Sequence, residues 1–310
     1  MNPKVPDQIA HYSRQLYTYN CTIVQGSSKS KMSKENIFIY TWMEQQHAKG
    51  SNEIASALFH CLSQVDLSGY STIRLSADGC GGQNRNSTMI CMCIYFLLKI
   101  AHKRVQNIEL IFPIPGHSFL PSDRVFGRIE KALKKIPVIA DPQVYIDVFS
   151  QHGSVVKLGS DCPVKNWKVA AGEFMKPPGC WHFKFSLSKR FVIQRSRSGN
   201  NALVRGEMNY MSDFGSARSV SKKGKDVNMM SPTTVTSGIA VKAKKLNDVK
   251  KLLEKHFGME WQTRSELEFY KELLIEGGCC DDGDDGDRHE EGSCTPCDSA
   301  LVTGTPDLII

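Results

Sequence analysis

The sequence predicts an α/β layered fold over its first 135 residues, with helices covering a largely shared sheet. Two observations carry this expectation. Segments of strand length alternate with segments of helix length, and the hydrophobic period switches between 2 and 3.6 residues in step with them.

Gln15 to Val24 (QLYTYNCTIV) is rich in Tyr, Thr, Ile and Val and reads as a strand. Gly26 to Lys34 is a polar turn, and Asn36 to Trp42 (NIFIYTW) alternates apolar and polar positions, so the two strands should pair as a hairpin. Ser51 opens a helical pattern with Ile54, Leu58, Leu62 and Val65 at spacings of four, four and three. Ser71 to Ala77 is a strand running directly into Asp78, and Asn86 to Ala101 is a strongly apolar helix. Ile108 to Ile114 is a further strand, and Ser122 to Lys135 a helix with Val125, Ile129 and Leu133 on one face. The order is therefore strand, strand, helix, strand, helix, strand, helix.

Beyond Pro137 the pattern breaks into short strand-like pieces: Tyr145–Val148, Val155–Leu158, Phe183–Phe185, Phe191–Gln194 and Leu203–Gly206. These predict a small β-rich annex over residues 136–215. Residues 216–275 read as a basic, mobile loop (216–238) followed by two helices. The first covers Leu246–Phe257, and a capping-box match, Ser265-x-x-Glu268, opens the second, which Gly277-Gly278 should stop. Residues 276–310 form a low-complexity acidic tail, expected to be disordered.

The chain has 310 residues, 41% hydrophobic and 23% charged, enough for one large domain or two modest ones. Charge is uneven. The tail from Glu276 holds ten acidic residues and one basic, a net of −9, so the overall +7 leaves +16 on residues 1–275. Such a balance favours polyanionic partners, nucleic acid above all, and leaves the tail available to protein partners. Met1 to Gln25 contains no apolar core of a signal peptide, and the longest apolar run, Met89 to Leu98, has ten residues, about half of what spans a bilayer. The expectation is an intracellular protein, nuclear or cytoplasmic and not membrane-bound, with its 11 cysteines mostly buried as small hydrophobes.

Two stretches carry chemistry. Asp78 ends a hydrophobic strand and leads into Gly79, Gly81 and Gly82, then Gln83-Asn84-Arg85-Asn86. Ligands of layered α/β sheets meet the carboxyl ends of strands, which suits a metal-binding carboxylate. Asn84 and Asn86 can cap the next helix, whose N-terminus favours phosphate. The plainer reading is an Asp-Gly turn with an Asn cap. The second stretch runs from Pro115-Gly116-His117-Ser118 through Asp123 to Glu130, where Asp123 and Glu130 lie two helical turns apart. Its plainer reading is a helix cap and a solvated glutamate.

Read together with the strand order, these stretches resemble a ribonuclease-H-like layout. Ser76 to Asn86 resembles the "SDxCxGQNKN" stretch of an animal, transposon-derived family of largely uncharacterised proteins. Trp42-Met43-Glu44 with Lys49 to Ser56 resembles its "WxE…RGSNEIAS", and Gly116 to Gly127 its "GHSxxPxDRxFG". Asp161-Cys162-Pro163-Val164 with Trp167-Lys168, and Trp181-His182-Phe183-Lys184, are similar to its downstream blocks, so the likeness spans roughly residues 3–275. It implies acidic residues holding two Mg²⁺ or Mn²⁺ ions for strand transfer or phosphodiester hydrolysis. Asp78 matches one metal-binding position, Asp123 is the choice for another, Glu130 is its alternate, and Glu53 is a weaker addition. The resemblance also implies that the first, central strand and its aspartate precede the hairpin. Only Asp7 is acidic before Gln15; were Gln15–Val24 itself the first strand, Asn20 would stand at the aspartate's position. The expected fold is therefore a ribonuclease-H-like sheet lacking its first strand. The expected function is a DNA-binding, catalytically incomplete derivative; the alternatives are an active transposase or nuclease with a further N-terminal segment, and a protein-interaction module.

Other candidates are weaker. Cys162, Cys180 and His182, or the tail's Cys279, Cys280, His289, Cys294 and Cys297, offer zinc donors. His117 offers a metal or phosphate contact. Lys189, Arg190, Arg195, Arg197, Arg205, Arg218, Lys222, Lys223 and Lys225 form a basic stretch suited to phosphates, with Asn84 and Arg85 as further nucleic-acid contacts.

Overall fold

The structure, a computed structural model, describes residues 3–6, 12–26, 31–114, 120–277 and 308–309. It is a mixed α/β fold with two mixed sheets and several helices. The first sheet begins with the expected hairpin: β1 (Thr18–Val24) lies antiparallel to β2 (Ile37–Met43), with Asn20 opposite Thr41. β5 (Ser154–Lys157) then joins the free side of β2 in parallel. The central position of β2 explains its sequence. Ile37, Ile39, Tyr40, Thr41 and Trp42 are all buried, which requires apolar or hydrogen-bonded side chains on both faces.

The second sheet is built on parallel β3 (Thr72–Ser76) and β4 (Asn107–Ile111). The antiparallel pair β6 (Arg190–Arg195) and β7 (Ala202–Glu207) extends it beyond β4, and Leu308–Ile309 add a two-residue strand, β8, to β3. The strands of residues 136–215 thus form no sheet of their own. β5 completes the first sheet while β6 and β7 complete the second, because each finds an unpaired edge there.

Helices α1 (Ser51–Gln64) and α2 (Ser87–Tyr95, continued by a π-helical turn, Phe96–Ile100) follow the pattern read from sequence. So does α3 (Pro121–Lys134), which buries Val125 and Ile129. Tyr145–Val148, expected as a strand, instead lies in α4 (Gln143–Ser150), which buries Tyr145, Val148 and Phe149 at helical spacing. Phe183–Phe185 is likewise no strand. Phe183 and Phe185 stack with Trp181 and Phe191 in an aromatic cluster that packs on the main core.

The main core joins both sheets to α1, α2 and α5 (Trp167–Phe174), with Trp167 fully enclosed between Phe59 and Tyr95. Helices α6 (Ala243–Phe257) and α7 (Glu268–Gly277) close a smaller core around Leu16, Trp261 and Tyr270. Ser265 falls in a 3₁₀ turn without the expected side-chain cap. Residues 216–238, expected as a mobile loop, run as a strap. Arg218 bridges to Val204, Ser221 to Met175 and Thr234 to Lys165, while Val220 and Val227 are buried. Among the described residues no helix is long and apolar enough to cross a membrane.

Candidate acidic cleft and basic bay

Asp78 and Asp123 line one cleft of about 230 Å³ between β1, the end of β3 and the start of α3. Its walls are mostly apolar: Ile23, Leu58, Leu75, Met89, Leu110, Phe112 and Phe126 contribute. Each carboxylate already serves its own loop. Asp78 accepts from the Cys80 backbone N–H at 3.3 Å and from the Asn84 side-chain amide. Asp123 accepts from the Leu120 N–H at 2.8 Å, closing the first turn of α3. Beside them, burial together with Cys61 and Asp78 pushes the Cys21 thiol up to about 12, so it is protonated at neutral pH. Glu130 is not on this cleft; it is exposed and paired with Lys134 at 2.8 Å.

Divalent metal can be tested against this donor set. A pair of hard cations needs several carboxylate oxygens, one of them bridging. Asp78 and Asp123 are the only acidic residues among the described lining, and no group of three His, Cys, Asp or Glu side chains gathers among the described residues. These residues do not fit a two-Mg²⁺ or two-Mn²⁺ centre. Nor are Cys162, Cys180 and His182 brought together as a zinc set: Cys162 is buried with its thiol towards Ser56 O, Cys180 is exposed, and His182 Nε2 bonds Ser216 O at 2.7 Å. Asp7, His117 and the tail cysteines lie outside the described residues.

The glycine loop after Asp78 is held from both ends. Cys80 O accepts from the N–H groups of Gln83, Asn84 and Arg85. Asn86 accepts from Met89 N at 2.9 Å as the cap of α2, and its amide donates to Gly81 O and Gln83 O, both at 3.0 Å. Arg85 is spent on structure, donating to the carbonyls of Phe185, Ser186 and Ser188.

The basic stretch divides in the same way. Arg190 is buried against Glu109 and Asp213, Arg205 pairs with Glu207 and Asp213, and Arg195 donates to Val105 O and Ala101 O. Lys189 rests over the Tyr210 ring. These four hold the second sheet together and are not a free phosphate track. Lys223 and Lys225, by contrast, are exposed on the strap and make no side-chain bond among the described residues.

Lys222 lines a second concavity, a bay of about 410 Å³, with Lys168, Lys176 and the first residues of α1 and α2. Asn52 fixes the bay's far wall: it accepts from Lys168 N at 2.8 Å and donates to Asn166 Oδ1 at 3.3 Å. Ser56, one turn on, accepts from Lys165 N at 2.9 Å. Sequence reasoning missed Lys168, Lys176 and Thr88 as site residues. The only signal was the Trp167-Lys168 block, which does not reveal that α5 meets the starts of α1 and α2.

Residues 21–195 match the model of a family described as a domain of unknown function (DUF7869). The chain belongs to that family. No curated protein and no solved structure matches it.

Proposed function

We propose that this DUF7869 chain is a transposon-derived, nucleic-acid-binding protein that engages the phosphate backbone and lacks two-metal catalysis. The observation that carries this reading is the basic strap. Lys223 and Lys225 stand unpaired on an ordered segment, and Lys222 beside them faces Lys168 and Lys176 across the bay. Exposed lysines without a counter-charge, on a part of the chain carrying +16, are what counterion release from a polyanion requires. The cleft lined by β1 on one side and the end of β3 on the other is in keeping with a ribonuclease-H-like layout short of one strand.

A second reading is a metal-dependent nuclease in which Asp78 and Asp123 of the shared cleft are completed by a further carboxylate from outside the described residues. One experiment separates them: fluorescence anisotropy of the full chain with duplex and single-stranded oligonucleotides over a salt series, beside a nicking assay with Mg²⁺ or Mn²⁺. The expected result is salt-dependent binding without cleavage. Nicking abolished by Asp78→Ala overturns the inactive reading, and no binding at low salt leaves the protein-interaction alternative.

A further inference from the structure

The geometry points to the bay between α1, α2 and α5 as a seat for one phosphate group, supplied by a phosphodiester backbone. The identity of that carrier rests on the nucleic-acid reading above; the seat itself does not.

Three independent features converge there. Lys168, Lys176 and Lys222 line the bay, and among its described residues there is no carboxylate. Cations gathered without a counter-charge repel one another, a cost that a bound anion removes. Lys222 is held in place because its ammonium donates to Gly172 O.

The second feature is the start of α2, which meets that of α1 on one wall; the first turn of α1 is already served by the Glu53 carboxylate, which accepts from the Gly50 N–H. Ser51 opens α1, and Ser87 and Thr88 open α2, all on the bay wall. The first N–H groups of a helix lack intrahelical partners, and the helix dipole adds partial positive charge. Asn86 caps only Met89 N, which leaves the N–H groups of Ser87 and Thr88 as donors. Gly81 and Gly82 form the adjoining wall, and a Cβ added to Gly82 would meet nothing within 4 Å, so the loop leaves room for a ligand.

The third feature is Thr88 itself. It is 5% exposed, it borders the bay, and its hydroxyl has no hydrogen-bond partner among the described residues. Its oxygen remains accessible where Thr88 borders the bay, so an anion seated there can take the hydroxyl's hydrogen bond.

The probes are inorganic phosphate, followed by heteronuclear NMR or calorimetry, and a short single-stranded oligonucleotide followed by anisotropy. Both use the full chain. Thr88→Val keeps the shape and removes only the hydroxyl; Lys176→Gln removes one charge at an exposed position, and thermal melting confirms that both variants remain folded. Phosphate should bind the parent, and Thr88→Val should weaken it by about tenfold, the worth of a hydrogen bond to a charged group. Lys176→Gln should weaken it several-fold, and both should weaken oligonucleotide binding in the same order. Oligonucleotide binding indifferent to both substitutions overturns the seat's assignment to a phosphodiester backbone and leaves the nucleic-acid reading standing, and phosphate binding indifferent to both overturns the seat. Phosphate binding lost in the variants, with no oligonucleotide affinity at low salt, supports the seat and overturns its assignment to nucleic acid. A phosphorylated peptide binding more tightly than the oligonucleotide overturns that assignment too. No detectable phosphate binding by the folded parent overturns the seat.

Discussion

Gly159 packs against His47 so closely that a Cβ at that position would sit 2.7 Å from His47 Nε2. Gly159 also has φ +98°, where side chains are disfavoured. Its N–H donates to Cys162 O at 2.8 Å, closing the turn after β5. Gly159→Ala should therefore lose about 3 kcal/mol through combined strain and overpacking. Chemical denaturation would measure it; a loss below about 1 kcal/mol would mean that the turn relaxes freely.

Arg190 and the strap lysines should behave as opposites. Arg190→Met leaves Glu109 short of a buried partner and should cost about 3 kcal/mol while leaving the salt slope of oligonucleotide binding unchanged. Lys223→Ala and Lys225→Ala should leave thermal stability alone and each flatten that slope by about one unit. If Arg190→Met flattened the slope without destabilising the fold, its assignment as a structural pair would be wrong.

Stability should fall on mild acidification. Burial lowers His47 and His60, and burial with the charges of Arg128 and Lys34 lowers His152. Unfolded histidine titrates near about 6.5, so above that pH both states are neutral and the full contribution is present. As pH falls through the depressed folded values, the unfolded chain binds protons first and stability is lost. Melting temperature should drop between pH 7 and 5, and His152→Gln should make the profile shallower. A flat profile across that window would contradict the burial of these rings. Glu53, raised by burial, works in the opposite sense at lower pH, since its contribution is fully present below the unfolded value and lost as pH rises through the folded one.

Removing residues 278–310 takes away nine acidic residues and one basic, a net of −8. The basic bay and strap then face solution without that competing charge, so oligonucleotide affinity should rise several-fold at low salt and the gain should vanish at high salt. An unchanged affinity at low salt would show that the tail does not reach these lysines.

Local signals were readable and long-range ones were not. The hairpin, the Asn86 cap and the apolar stripe of α3 each depend on neighbours within a few residues. Tyr-Ile-Asp-Val at 145–148 alternates like a strand, but Tyr145, Val148 and Phe149 also satisfy helical spacing, and packing beside α3 decided for the helix. Arg190 looked like a phosphate contact because Glu109 is far away in sequence and becomes its neighbour only once β4 and β6 pair. The bay was illegible for the same reason: Ser51, Thr88, Lys168 and Lys222 come from four separate stretches.

The parallel pairing of β2 with β5 sets Ile39 beside Val155. During synthesis, the first sheet stays open on one side until residue 157 has left the ribosome. Meanwhile β2, whose side chains are destined for burial on both faces, presents a bare apolar edge to solvent. Such distant pairing is slow to form and prone to aggregation while it waits. Recombinant expression should therefore benefit from slower translation or added chaperone more than from any change of solvent charge, and truncations ending before Leu158 should be insoluble.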